Sequence, residues 1–87
     1  MKIKKGFVVR KIAGEDVVVA LGAASRQFSG IIKLNDTGRF LWDKIAEGCD
    51  ENALVEAIVA EYSVDKELAA RDVKAFVETI KGAGVLE

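Results

Sequence analysis

Histidine and proline are absent from the 87 residues, and cysteine, methionine, tryptophan and tyrosine occur once each. Each gap narrows the chemistry. Without histidine the chain lacks the commonest general base and the commonest metal ligand, and no Ser-His or Cys-His nucleophilic pair can be assembled. A lone Cys49 can form neither an internal disulfide nor a thiolate metal cluster. The missing proline leaves no proline-rich linker to divide the chain, so residues 1–87 are expected to form a single domain. Long apolar runs are missing too: Val17-Val18-Val19-Ala20-Leu21 is far shorter than the ~20 residues a membrane-spanning helix needs. Basic Met1 to Lys5 leads into Phe7-Val8-Val9 and then into more charge at Arg10 and Lys11, which is not a secretory pattern. A cytoplasmic location is expected.

What is present suits a small folded domain. Apolar residues make up 51% and charged residues 31% of the sequence, with a formal net charge of −1. That balance supports a core rather than a disordered tail. The charge is unevenly spread, because Lys2, Lys4, Lys5, Arg10 and Lys11 crowd the start while Asp43 to Glu67 is strongly acidic.

The stretch Leu34-Asn35-Asp36-Thr37-Gly38-Arg39-Phe40-Leu41-Trp42 divides the chain. Before it, Phe7 to Ile12, Val17 to Leu21 and Ile31 to Leu34 read as strands, with Ala13-Gly14-Glu15-Asp16 as a turn and Val17 to Leu21 as the central strand. Gly22 to Gly30 reads as a loop in which Phe28 covers the core. After it, apolar residues recur at helical spacing. A first helix is expected from Asp36 to Glu47, capped by Asn35 or Asp36 and stopped by Gly48. Asp50 caps a second, with Leu54, Val55, Ile58, Val59 and Tyr62 as its stripe. Asp65 caps a third, which buries Ala69, Val73, Phe76, Val77 and Ile80 and ends at Gly82 and Gly84. Val85-Leu86 then folds back. The expected class is α+β, a three-stranded antiparallel sheet followed by three helices. Phe40, Trp42 and Phe76 are the largest side chains available to fill the space between the layers.

No catalytic constellation emerges. The helix carboxylates Glu47, Glu51, Glu61 and Glu67 have no apolar setting that would tune them for acid or base work. The glycines do not form a phosphate-binding loop followed by lysine and a hydroxyl residue. The second and third helices can be read as a helix-turn-helix, and a nucleic-acid-binding winged-helix regulator is the alternative reading. Yet the third helix opens with Asp65 and Glu67, which repel phosphates. A better candidate is an edge at Ile31 to Leu34, whose free N–H and C=O groups can take an extended peptide as a further strand, with the third helix as a wall.

Leu34-Asn35-Asp36-Thr37-Gly38, followed by Trp42, by Asp72-Val73 with Phe76 and by Gly84-Val85-Leu86, resembles the PqqD-like family over nearly the whole chain. The resemblance implies a winged-helix-like fold and a peptide-recognition element of ribosomal peptide modification. Such an element holds the leader of a precursor peptide and delivers it to a modifying enzyme, often a radical S-adenosylmethionine enzyme. It implies no catalysis and no cofactor of its own. Carried onto this chain, strand pairing falls to Ile31, Ile32, Lys33 and Leu34, and helix-side contacts to Val73, Lys74, Val77 and Lys81. The state expected is a monomer or a strand-exchanged homodimer. Arg26 to Gly30, Thr37-Gly38 and Val85 depart from members dedicated to pyrroloquinoline quinone, which points to a broader PqqD-like protein.

Overall fold

The computed structural model describes residues 1–26 and 32–87. Three strands, β1 (Phe7–Ile12), β2 (Glu15–Ala20) and β3 (Ile32–Leu34), precede three helices, α1 (Asp36–Ala46), α2 (Glu51–Tyr62) and α3 (Lys66–Gly82). The sheet is antiparallel in the order β1-β2-β3, so β2 is central, as its continuous apolar character predicts. The α+β expectation holds. A short 3-10 turn at Gly22–Arg26 follows β2, where the sequence suggested only loop. Phe28, read from the sequence as a lid, lies outside the described residues.

The β1–β2 turn is tighter than expected. Ile12 pairs with Glu15, leaving Ala13 and Gly14 as the two turn residues, with φ of 51° and 80°. Positive φ at both positions gives the turn the hand that matches twisted strands. Glu15 and Asp16 consequently join β2 instead of the turn.

Helix ends follow capping chemistry with one exception. The Asn35 side-chain oxygen accepts the Gly38 N–H at 2.7 Å, and Asp50 accepts the Ala53 N–H at 2.8 Å. Asp65 stands at the start of α3 but makes no such bond. Gly48, just after α1, adopts φ of 100°, a conformation that L side chains resist.

Each layer contributes to one core. Phe7 and Val18 from the sheet meet Leu41, Trp42 and Ile45 of α1, Leu54 and Ile58 of α2, and Ala69, Val73, Val77 and Ile80 of α3. Val85 is fully buried in the same cluster, so the tail does fold back. It is held by a bridge between Ile3 and Leu86 and by Lys4 N–H donating to the Val85 carbonyl at 2.8 Å. Of the three large aromatic residues, Trp42 is a core residue at 4% exposure. Phe40 and Phe76 are only half-buried. Phe40 packs edge-on against exposed Tyr62, with ring centroids 5.7 Å apart, and Phe76 lines a groove.

Candidate functional site

The site is built on β3, an edge strand. Which of its backbone groups face outward follows from the ladder, because alternate residues of an antiparallel strand direct their N–H and C=O to opposite neighbours. Leu21 N–H donates to the Gly6 carbonyl at 2.6 Å, one step beyond the Phe7–Ala20 pair. Residues 15, 17, 19 and 21 therefore turn their backbone groups toward β1. Asp16 and Val18 turn theirs toward β3, where they oppose Leu34 and Ile32. It follows that Ile32 and Leu34 pair with β2, while the N–H and C=O of Lys33 point away from the sheet.

Side chains alternate the other way. Leu34, 7% exposed, and half-buried Ile32 face the helices, whereas exposed Lys33 shares the opposite face of the sheet with its register partner Val17, which is buried at 4% exposure. Beyond the edge lies a cleft of about 550 Å³, floored by Leu34, Gly38 and Phe76 and rimmed by charged residues of the β1–β2 hairpin. A second cleft of about 310 Å³ shares Asn35, Gly38 and Phe76 and continues along α3 past Asp72 and Ala75. Together they form one groove with Phe76 at its centre. Gly38 makes this approach possible: a Cβ there would lie 3.4 Å from the Phe76 ring and 3.1 Å from the capping oxygen of Asn35.

Charge near the groove is organised by short pairs. Asp16 receives a hydrogen bond from Arg39 at 3.2 Å and lies 3.8 Å from the Lys11 ammonium, which ties the hairpin to α1. Arg39 also reaches Asp43, one turn along α1, at 3.1 Å. Lys33 lies 3.4 Å from Glu15 on the face of the sheet away from the helices. These pairs, exposed except at the Asp16 carboxylate, orient the rim more than they stabilise the fold.

The sequence-based candidates divide. Lys33 and Leu34 do meet at the groove, and Ile32 stands one residue before them on β3, paired with Val18 of β2. Ile31 lies outside the described residues. Val73 is 0% and Val77 8% exposed, so both belong to the core and present little surface to a peptide. Lys74 and Lys81 are exposed but line neither cleft. At about 100° per residue they sit roughly 160° and 140° around α3 from Phe76, on its other flank. The α3 residues that face the groove are Asp72, Ala75 and Phe76, of which the sequence analysis placed Phe76 in the core. Its wheel position carried a signal, since Phe76 falls at the margin of the stripe through Ala69, Val73, Val77 and Ile80.

Among the described residues no group of His, Cys, Asp or Glu is arranged to hold a metal ion, and no helix is long and apolar enough to cross a membrane. The start of α3, with Glu67 in its first turn, remains acidic and unsuited to phosphate.

Known structures share this architecture. TbiB1, solved in complex with the TbiA(beta) leader peptide, is 31% identical, with a TM-score of 0.79 over 100% of this chain and 95% of that one. A lasso peptide synthetase B1, complexed with the leader peptide, is 21% identical with a TM-score of 0.78 over 99% of this chain and 95% of that one, a likeness of fold. No curated protein sequence matches significantly. The β3–α1 junction, the α3 wall and the glycine-led tail all fall within residues 9–86, the span that matches the family described as Coenzyme PQQ synthesis protein D (PqqD), and the chain belongs to that family.

Proposed function

We propose that this protein is a non-catalytic adaptor that binds the leader of a ribosomally made precursor peptide and presents it to a modifying enzyme. The leader joins the sheet as a fourth strand beside β3. The observation that carries this reading is the outward N–H and C=O of Lys33, next to a groove floored by Leu34 and Phe76. Main-chain bonds would supply sequence-tolerant affinity, and the groove would supply selectivity. Membership of the PqqD family supports it, as does the 31% identity to TbiB1, whose structure holds a leader peptide. The adaptor role accounts for a chain with no histidine. The receiving enzyme we infer is a radical S-adenosylmethionine enzyme or another peptide-modifying enzyme, meeting the leader in the cytoplasm where it is translated.

Proline substitution tests the mechanism directly. Lys33→Pro removes an outward N–H together with the exposed side chain paired to Glu15, and an edge strand tolerates proline there. The variant should melt like the parent yet bind a fluorescent leader of its precursor peptide about tenfold more weakly, a loss of ~1.4 kcal/mol. Lys33→Ala, which keeps the N–H, should bind within about threefold of the parent, the spread expected for an exposed side chain. Ile32→Pro is the wrong probe, because the Ile32 N–H serves the β2 pairing and its loss would damage the sheet. A folded Lys33→Pro variant with parental affinity contradicts strand addition at β3.

A further inference from the structure

The sheet has two edges, and β1 is the second. The ladder that turns Lys33 outward also fixes the parity of β1. Gly6 accepts from Leu21, and Val8, Arg10 and Ile12 oppose Val19, Val17 and Glu15, so the backbone groups of these residues turn toward β2. The N–H and C=O of Val9 and Lys11 therefore point away from the sheet, and among the described residues no hydrogen bond reaches them. This edge is six residues long, against three for β3.

Side chains decide what such an edge can pair with. On the face away from the helices stand half-buried Val8, exposed Arg10 and Ile12, the last 52% exposed. Glu15 shares that face but is paired to Lys33 at 3.4 Å, and Arg10 makes no ion pair among the described residues. A second copy of this chain is a poor occupant. In a two-fold pairing of β1 with itself centred on Val9, Arg10 or Lys11, both Arg10 side chains fall on one face, directly opposed or about 7–8 Å apart on the diagonal. An edge cation used in this way discourages self-association. A strand bearing Asp or Glu meets the opposite condition. Its carboxylate opposite Arg10 lies on the same face, and in antiparallel addition the two form a non-hydrogen-bonded pair, the closer kind, with Cα atoms about 4.5 Å apart.

We propose that the β1 edge binds an extended acidic segment of a second protein, with Asp or Glu opposite Arg10 and apolar residues two positions to either side, against Val8 and Ile12. In the adaptor reading that protein is the enzyme that receives the leader, and the partner's identity rests on that reading. A leader beside β3 and a segment beside β1 are four inter-strand steps apart, about 19 Å. Both can be held at once without competing.

A displayed library of random twelve-residue peptides, panned on the Lys33→Pro protein so that the β3 edge is blocked, tests it. Enriched peptides should carry Asp or Glu with apolar residues at a spacing of two on both sides. In fluorescence anisotropy, Val9→Pro, which removes an outward N–H at an edge position, should weaken an enriched peptide about tenfold. Panning on an Arg10→Glu variant of equal melting temperature should shift the enrichment from Asp and Glu to Lys and Arg. On the parent protein, a saturating enriched peptide should leave leader affinity within about twofold. No binders, binders without the acidic residue, binders indifferent to both Val9→Pro and Arg10→Glu, or binders that displace the leader overturn the β1 site and leave leader binding at β3 standing. A parental dimer in size-exclusion chromatography that Val9→Pro dissolves gives the edge to a second copy and overturns the proposal as well. Parental leader affinity in the folded Lys33→Pro protein is a separate failure, that of strand addition at β3, and it removes the enzyme as the assigned partner.

Discussion

Phe76 and Val77 are adjacent on α3, yet the fold gives them different work. Val77 is 8% exposed and belongs to the core, while Phe76 is half-buried and lines both clefts. Truncation should separate packing from binding. Val77→Ala is expected to lose about 1–2 kcal/mol of stability, less than a large core deletion because only two methyl groups go, with leader affinity unchanged in the folded protein. Phe76→Ala should lose a similar amount of stability and, in addition, weaken the leader about tenfold. Chemical denaturation and anisotropy on the same two proteins measure both. Equal effects on leader binding would show that Phe76 acts only as core.

At the scale of elements, α2 and α3 both begin after an aspartate, but only one cap is made. Asp50→Ala should cost about 1 kcal/mol, the usual worth of a side-chain cap, whereas Asp65→Ala should cost less than about 0.5 kcal/mol. Urea midpoints at constant slope give the comparison, and equal losses would mean that Asp65 caps in solution. The sequence alone could not separate the two, since both offer the same residue type before a helical stripe. The strands and helices themselves were legible, because the switch from alternate to helical spacing at Asn35 is strong. The edge position of β3 followed from the charge of Lys33 and from the continuous apolar run of β2. Less legible was the parity of β3. Whether Ile32 or Lys33 faces outward depends on the length of the β1–β2 turn, and the extent of a two-residue Ala13-Gly14 turn is set by backbone conformation that Glu15 and Asp16 do not advertise. The α3 wall was hard to read for a related reason: Val73 and Val77, expected as contacts, lie on the stripe that serves the core, and Phe76 at its margin lines the clefts.

Across the whole molecule, the groove and the paired chain ends lie at opposite ends of α1. Asn35 and Gly38 begin that helix at the groove, while Lys2 to Phe7 pack beside Ala46 and Gly48 at its far end. An eleven-residue helix spans about 16 Å, so the two regions do not touch. Removing residues 1–5 deletes the Ile3–Leu86 bridge and the bond from Lys4 to Val85, and the melting temperature should fall by several degrees. Leader affinity should stay within about twofold, as expected for distant and independent sites. A large loss of affinity in the folded, shortened protein would relocate the peptide to the basic N-terminal segment.

Backbone exchange at Lys33 tests the central claim most directly. In the free protein, the amides of Ile32 and Leu34 should exchange slowly with deuterated solvent, because they pair with β2, and that of Lys33 should exchange fast. Saturating leader should slow Lys33 by about tenfold or more, the mark of a new hydrogen bond with an opening free energy above ~1.4 kcal/mol, and should shift the amides of Gly38 and Phe76. If Lys33 exchanges as fast with the leader bound as without it, the leader does not join the sheet at β3 and the account is wrong.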